Sequence, residues 1–558
     1  MRLSAVIKVR KGLFWVGHRA LKVTVKDLIL CLNFGMNLAI KGIIITMMKL
    51  KLSLFTQSIA AAMLLLAQTA YADAATPPAI SGKPYSNGTL NTNIPADEIN
   101  LPDLGDFAQT VLSPQDEQRI AEQILREVAD SDEVLQDAEV TDYISAVGQK
   151  LAASGPDKRQ TFHFFAVKDN SINAFAMPGG VIGVHTGLIL AANSESEMAG
   201  VLGHEIGHVT QRHLARMLAS QKYDTFKNIA GIALALLVAR SNPQLATGAL
   251  TASSAAGVQR QLDYTREHER EADRVGLTIL DAAGFDVRGM PAFFSTLQRG
   301  SRFIEGTAPS FLRTHPLSAE RIADVSNRVD SMPYRQVADS LDFNLVKAKL
   351  RASNGLAQTA IEQFEDNIRE HRFASETAEH YGLAVAMLRK NNVAGAAKQI
   401  EWLKSRADKH PFIENLSARI EVARNNPQAA AVQYAKALSL FPEHRSLIYG
   451  YAEHYLDSRQ PDKAIKLIAE KQRLYPDDPY LYDMLAKAYA AKGKDLLRFQ
   501  AQGESYYRKY DLKKAVEQLD LAIKAKDGNF YEQSIVEARL KELRRLQENE
   551  KQAIERLS

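Results

Sequence analysis

Five consecutive residues of this 558-residue chain could bind a metal ion and use it in catalysis. They are His204-Glu205-Ile206-Gly207-His208, and the sequence around them predicts a helix. Residues four apart lie about one turn apart on one face of an α-helix, so both imidazoles can reach the same ion. Zinc accepts two neutral histidines and a carboxylate and leaves a fourth position to water. Glu205 could then act as a general base on that water.

A second run of charged residues could complete this site. Within residues 264–276, Glu269 and Asp273 lie four apart on a second predicted helix. Such a zinc site needs a third protein ligand and a further carboxylate that orients an imidazole. Glu269 as the ligand and Asp273 as the orienting group meet both needs. On the residues alone, Glu267 and Glu271 remain alternative ligands.

These two runs, with the sequence NAFAMPGG at 173–180, resemble the gluzincin peptidases of the CAAX-prenyl-protease and HtpX type. The nearest resemblance is to the periplasmic beta-barrel assembly-enhancing protease family, which joins such a domain to tetratricopeptide repeats. The resemblance implies that Glu269 is the third ligand and that each chain binds one zinc ion. It also implies that His315, within RTHPLSAER, can occupy the open zinc position and hold the enzyme inactive.

The strand that would bind substrate is predicted just before the zinc helix. Residues 161–168 and 181–186 are predicted strands, and the residues between them lead into a turn. In related peptidases a strand here forms the cleft edge and binds substrate by backbone pairing, which gives weak sequence preference. For any single side chain, simple packing within the sheet is an equal alternative. The predicted cleft residues are Asn173, Ala174, Phe175, Ala176, Met177, Pro178, Gly179 and Gly180.

The remaining histidines lack the spacing of ligands. His213 follows His208 by five residues on the same predicted helix, which turns it off the ligand face, so we interpret it as structural. The same interpretation applies to His163, His185 and His268. An oxyanion donor is not supplied by the motif; His315, a tyrosine or an arginine could serve. Arg313 and Arg321 are near only in sequence.

Composition indicates an ordinary globular protein of two or more domains, because 558 residues exceed one hydrophobic core. Residues 1–72 hold ten Lys and Arg against one acid, while the rest holds 59 basic and 64 acidic residues. This balance does not suggest a nucleic-acid partner. The single cysteine, Cys31, excludes a disulfide framework and a cysteine-bound metal.

The N-terminal region contains a complete secretory signal. A basic region, an apolar run and an A-x-A motif predict a signal peptide at 47–72, cleaved after Ala72. We interpret residues 1–46 as an extension from a mis-assigned translation start. The alternative is a membrane anchor at 28–46, whose polar interruptions would be costly in hydrocarbon. Export of a mature chain without cysteine favours the bacterial periplasm.

The C-terminal half repeats with a period of 34 residues. Small residues recur at two phases of this period: Ala384, Ala418, Ala452 and Ala486, and Ala396, Ala430 and Ala464. This pattern, with a proline closing each unit, is typical of tetratricopeptide repeats. Degenerate units are predicted at about 341–373 and 500–527, and a charged capping helix at 531–556. Such arrays present a surface for peptides or partner proteins.

The predicted fold is therefore mainly α. After an extended leader at 73–112, a helical zinc-metallopeptidase domain with a small β-sheet spans 113–333, and a tetratricopeptide α-solenoid spans 340–556. The apolar segment at 225–240 is too short to span a bilayer. It is predicted to be a core helix, with a mobile lid or peripheral membrane contact as the alternative.

The predicted function is a zinc-dependent endopeptidase of the periplasm. The resemblance implies that its substrates are misassembled outer-membrane beta-barrel proteins, and that its partners include their assembly machinery. It also implies a chaperone-like role for the repeats. The alternative is a repeat-based binding module with a closed, structural zinc site. Glu205 favours catalysis, because a structural site has no use for a base.

Overall fold

The computed structural model describes three long stretches of the chain, at 113–219, 266–302 and 310–557. None of the helices in these stretches has the length and apolar character of a membrane span. A separate N-terminal unit contributes three short antiparallel strands, Val9–Arg10 (β1), Leu13–Val16 (β2) and Arg19–Leu21 (β3). Four predicted features lie outside the described residues: the alternative membrane anchor at 28–46, the signal peptide at 47–72, the leader at 73–112 and the apolar segment at 225–240.

The first part of the larger unit combines helices with a small sheet. Its elements in chain order are α1 (Pro114–Asp130), α2 (Ala138–Ala153), β4 (His163–Val167), β5 (Ala174–Met177), β6 (Val181–His185), α3 (Thr186–Ala191), α4 (Glu195–Thr210), α5 (His213–Ala219), α6 (Arg266–Ala282), α7 (Gly289–Arg302), α8 (Ser310–Thr314) and α9 (Ala319–Ser331).

One edge strand of the sheet lies next to the helix that carries the HEIGH sequence. The strand order is β4-β6-β5, with β6 parallel to β4 and antiparallel to β5. β6 is buried along its whole length, as expected for the central strand. β5 lies at the edge and contacts α4. The strands predicted at 161–168 and 181–186 are confirmed, with slightly shorter ends.

Helices α4 and α6 approach each other closely because glycines face each other where they cross. A Cβ on Gly276 would lie 2.9 Å from the backbone nitrogen of His204 and 3.0 Å from the carbonyl carbon of Gly203. One turn further along, a Cβ on Gly207 would lie 2.9 Å from the carbonyl oxygen of Ala272. These contacts leave no room for a side chain, so the two helices pack backbone against backbone.

From residue 341 onward the chain forms successive helix pairs. They are α10 (Leu341–Ser353) with α11 (Ala357–Arg369), α12 (Glu376–Arg389) with α13 (Val393–Arg406), α14 (Pro411–Ala423) with α15 (Pro427–Leu440), α16 (Arg445–Asp457) with α17 (Pro461–Lys471), α18 (Pro479–Ala491) with α19 (Asp495–Arg508), and α20 (Leu512–Lys524) with the long α21 (Phe530–Leu557).

The periodic alanines occupy the helix contacts that the repeat pattern predicts. All seven are buried, at no more than 4% exposure. The degenerate unit predicted at 341–373 is confirmed by α10 and α11. The unit predicted at about 500–527 is wrong in its boundary, because it joins the second helix of one pair to the first helix of the next. The long last helix packs on α20, where the capping helix was predicted.

The first part of the solenoid shares a hydrophobic core with the domain that precedes it. No regular element lies between Ser331 and Leu341, where the domain boundary is predicted, yet the buried core runs from α2 through α14. The first two helix pairs and the first helix of the third pair therefore share the core of the first domain.

Glu139, near the start of α2, contacts the first helix of four successive pairs. Lys349 Nζ and the Tyr381 hydroxyl donate to Glu139 Oε2 at 2.6 and 3.2 Å. Asn415 and Ser446 donate to Oε1 at 2.8 and 3.1 Å. Burial would raise the pKa of Glu139, but Lys349 and these hydrogen bonds outweigh it and hold the pKa below its ordinary value.

Candidate metal centre

Helix α4 carries both histidines and the glutamate of the HEIGH sequence. Ser194 fixes the start of the helix by accepting a hydrogen bond from the backbone N–H of Glu197 at 3.1 Å. His204, Glu205 and His208 are each at most 3% exposed. The Nε2 atoms of the two imidazoles lie 3.0 Å apart, as expected for residues one turn apart on one face.

Two further donor groups come from α6 and from the residue after α8. Glu269 Oε1 lies 3.4 Å from His208 Nε2, and Glu269 Oε2 lies 3.6 Å from His204 Nε2. His315 Nδ1 lies 3.0 Å from Glu269 Oε1 and 3.4 Å from His204 Nε2. One ligand atom from each of these four residues lies within 4.8 Å of all the others. We call His204, His208, Glu269 and His315 the donor group.

The donor group fits a tetrahedral metal ion. Ligand atoms about 2.0–2.2 Å from a central zinc would be about 3.3–3.6 Å from one another. The contacts above, between 3.0 and 3.6 Å, lie close to that range. Burial lowers the pKa of His208 well below its ordinary value, so this imidazole is in the neutral form that a metal requires.

Glu205 lies beside the donor group without belonging to it. Its Oε1 is 3.5 Å from His315 Nε2. Among the described residues, its two buried oxygens have no hydrogen-bond partner of ordinary geometry, although the backbone of Ala176 is near enough to lower its pKa. Burial dominates and raises that pKa, against His315 and His204, which lower it. A buried carboxylate with unsatisfied oxygens is suited to accept a proton from water held against the metal.

The Nδ1 atom of His204 contacts Asp273, which in turn is bound by an arginine. This Nδ1 lies 2.9 Å from Asp273 Oδ1, and Arg321 donates to both oxygens of Asp273 at 2.8 Å. Arg321 Nη1 also lies 2.7 Å from Glu269 Oε2. Burial would raise the pKa of Asp273, but His204 and Arg321 hold it below its ordinary value. The expectation that Arg321 is near only in sequence is wrong: α9 folds it into the site.

His208 is held from behind by a second histidine. His213 Nδ1 lies 2.8 Å from His208 Nδ1, and His213 Nε2 lies 3.1 Å from Glu271 Oε2. Arg216 donates to the same Glu271 oxygen at 2.9 Å. Burial lowers the pKa of His213 to about 4, so it is neutral at physiological pH.

The prediction that His213 continues the ligand helix is wrong. Helix α4 ends at Thr210, Arg212 takes a left-handed φ of 52°, and α5 begins at His213. Helical spacing does not apply across that break, so the sequence pattern could not show that His213 contacts His208.

The predicted cleft residues occupy the edge strand and the segments on either side of it: Asn173 before β5, Ala174–Met177 as β5, and Pro178–Gly180 as a tight turn after it. A small pocket lies beside this edge and reaches the donor group. Its lining includes Ala176, Met177 and His208, together with the ion pair between Glu117 and Arg212 at 2.9 Å.

The other residues considered from the sequence as ligands or oxyanion donors are not members of the donor group. Glu267 and Arg313 are exposed, and His163 is half-buried on β4. His185 Nδ1 lies 2.9 Å from Ser171 Oγ. Glu271 and His268 both contact His213: Glu271 pairs with it, and His268 stacks on it with ring centroids 4.5 Å apart.

Comparison with known proteins accounts for both halves of the chain. Residues 138–329 match Peptidase family M48, and residues 421–488 match a tetratricopeptide repeat. A beta-barrel assembly-enhancing protease of Yersinia pestis is 32% identical over 82% of this chain and 93% of its own length. This chain belongs to the beta-barrel assembly-enhancing protease family. Relatives of that name in Escherichia coli K12 and, as a putative member, in Vibrio cholerae are 31% and 32% identical over 80% and 75% of this chain, and 92% and 87% of their own lengths.

Membership of the beta-barrel assembly-enhancing protease family confirms the resemblance found in the sequence. The M48 match spans the whole donor group and Glu205. The chain is therefore a metallopeptidase with a tetratricopeptide-repeat domain.

Proposed function

We propose that this chain is a zinc-dependent endopeptidase in which His204, His208 and Glu269 hold the metal. The observation that carries this proposal is the donor group itself, buried and convergent, with a buried glutamate beside it that is not a ligand. A zinc ion bound there would polarise the scissile carbonyl and lower the pKa of its water to about 7.

Glu205 is the general base of this proposal. Its carboxylate accepts the proton of the attacking water and passes it to the leaving amine. Its raised pKa suits this exchange, because a base works best when its pKa approaches the operating pH. Asp273 keeps the His204 ring in one orientation and tautomer, and Arg321 holds Asp273 in turn.

The edge strand β5 binds the substrate chain by backbone pairing. Its outer side is not paired within the described part of the chain, and it contacts α4, which carries Glu205. Recognition of this kind gives weak sequence preference, with pockets for alternate side chains. The pocket beside His208 is placed to receive one such side chain.

His315 closes the site in the arrangement seen here. With His315 in the donor group, four protein groups surround the metal position, whereas a catalytic zinc keeps one position open. We propose that His315 withdraws when substrate enters. This closed arrangement also supports the alternative function, a repeat-based binding module whose zinc site is structural.

The relatives' name supports a role in the assembly of outer-membrane beta-barrel proteins. We propose that the chain acts in the periplasm after export, cleaves misassembled barrel proteins, and uses its helix pairs to bind them or their assembly machinery. Arrays of this type present extended surfaces to peptides and partner proteins.

Substitution of Glu205 by Gln tests the proposed function, since the shape is kept and the base is lost. We expect cleavage of casein to fall by about 10²-fold or more, with zinc content unchanged. His204→Ala should lose both zinc and cleavage. Wild-type cleavage by the Glu205→Gln variant would exclude Glu205 as the base, whereas no cleavage by either the wild type or the variant would favour the binding module.

A further inference from the structure

The second nitrogen of each ligand histidine on α4 has a partner, but the two partners differ. Behind His204 lies a carboxylate, Asp273, at 2.9 Å. Behind His208 lies another imidazole, that of His213, at 2.8 Å between the two Nδ1 atoms. His213 is fully buried, so water does not compete for this contact.

The groups around His213 determine which atoms carry protons. Arg216 holds Glu271 as a carboxylate, and that carboxylate can only accept, so His213 Nε2 carries the proton that it donates to Glu271. The two Nδ1 atoms lie 2.8 Å apart and share one proton; a His208 that binds the metal through Nε2 carries this proton on Nδ1, so the lone pair of His213 Nδ1 accepts it. His208 is left with its lone pair on Nε2, the atom that faces Glu269 and His204.

We infer that His213 is a positioning residue that fixes the tautomer and the ring orientation of His208 and relays the charge of Glu271 to it. Given the metal site of the proposed function, this chain of groups repeats the role that Asp273 and Arg321 have for His204. In both, an arginine holds a carboxylate that acts on the outer nitrogen of a ligand imidazole. Partners of this kind typically change metal affinity by 10- to 100-fold when they are removed.

A packing role is the competing explanation, because His213 also stacks on His268. The two explanations differ in what replaces His213. Phe keeps the ring and its packing but cannot accept the proton of His208. Asn places an amide oxygen near the position of Nδ1 and can accept it. Packing predicts that Phe is tolerated better; positioning predicts that Asn is.

The experiment measures the zinc affinity of the full-length chain by competition with a chromophoric chelator, with the melting temperature of the metal-free protein alongside. We expect His213→Phe to weaken zinc binding by about 10- to 100-fold, and His213→Asn to recover part of the loss, because Asn restores the acceptor for His208 but not the contact with Glu271. The control is His380→Phe, which removes a buried imidazole from the repeat domain, where its partner is Gln399. That variant should keep wild-type affinity. Equal affinity in the His213→Phe and His213→Asn variants, at any level, overturns the inference.

A second pair of variants decides the matter if changes at residue 213 impair folding. Glu271→Leu removes the carboxylate behind His213 at a half-exposed position, and Glu267→Leu makes the same change at an exposed position one turn earlier. We expect weaker zinc binding only for Glu271→Leu; equal affinities of the two variants overturn the inference. If the wild-type chain binds no zinc, the proposed function fails; if it binds zinc and these variants bind it equally well, only the inference about His213 fails.

Discussion

His315 contacts both the metal ligands and the proposed base. Its Nδ1 belongs to the donor group, and its Nε2 lies 3.5 Å from Glu205 Oε1. A group in that position occupies the space that the attacking water and the scissile carbonyl need. This position supports the proposal that His315 blocks the site until substrate enters.

Replacing His315 by Ala should raise proteolysis of casein, because the open arrangement no longer competes with a fourth protein ligand. A minor conformation is typically populated at about 10% or less, so the increase should be roughly tenfold or more. The control is His163→Ala, a half-buried histidine on β4 outside the donor group. Lower activity in the His315→Ala variant would show that His315 stabilises the reaction instead of blocking it.

The part of this site that could be predicted from the sequence consists of residues close to one another along the chain. His204, Glu205 and His208 share one helical turn, so their spacing alone predicts their geometry. Glu269 and His315 needed the family resemblance, since Glu267 and Glu271 offered equivalent chemistry.

Asp273 was predicted as the group that orients His204, but Arg321 and His213, which also hold the ligand histidines, were not predicted. Arg321 reaches Asp273 only because α9 packs near α6, and His213 reaches His208 only because the helix breaks at Arg212. Neither contact corresponds to a periodic pattern in the sequence.

At the scale of elements, the contact between α4 and α6 sets the distance between the ligands of the two helices. Gly276 lies against the backbone of His204 and Gly203, so any added side-chain atom must push the helices apart. Such a shift separates Glu269 from the two histidines.

Gly276→Ala should therefore destabilise the protein by about 1–3 kcal/mol and weaken zinc binding as well. Urea unfolding and chelator competition measure the two effects. The matched control is Thr278→Ala, exposed on the same helix, which should change stability by no more than about 0.5 kcal/mol. If Gly276→Ala matches the control in both measurements, the contact between α4 and α6 has room for a Cβ at residue 276, and the close packing does not set the distance between the ligands.

The strands and the helix pairs were predicted from local patterns, whereas this helix contact was not. Apolar runs between turn residues located β4 and β6 to within two residues at each end. A glycine inside a helix indicates only a packing reason of unspecified kind. The partner of Gly276 could not be identified before the two helices were placed.

At the scale of the whole molecule, Glu139 joins the peptidase part to the repeats. One buried carboxylate receives hydrogen bonds from Lys349, Tyr381, Asn415 and Ser446, each on a different helix pair. This arrangement holds the repeats in register with α2.

Glu139→Gln should lower the free energy of unfolding by about 1.5–3 kcal/mol, because the buried Lys349 ammonium loses one of its two carboxylate partners and keeps only Asp137. Adding Lys349→Met should restore part of that loss, which a double-mutant cycle by urea unfolding measures. The control Glu517→Gln removes an exposed carboxylate from α20 and should have little effect. A Glu139→Gln variant as stable as this control would exclude a joining role.

The 34-residue period predicted the solenoid but not how it is joined to the peptidase domain. Alanine spacing reports contacts between neighbouring helices, which are local. Glu139 reads in the sequence as one more acid in the first turn of a helix, and only the fold shows that four helix pairs surround it.

The proposed function requires that His204, His208 and Glu269 hold a catalytic zinc. The most direct test is the zinc content of the purified full-length chain and of two variants. We predict one zinc per chain in the wild type and in Glu205→Gln, and none in His204→Ala. A wild-type chain without zinc, or a His204→Ala variant that retains it, would contradict the proposed function.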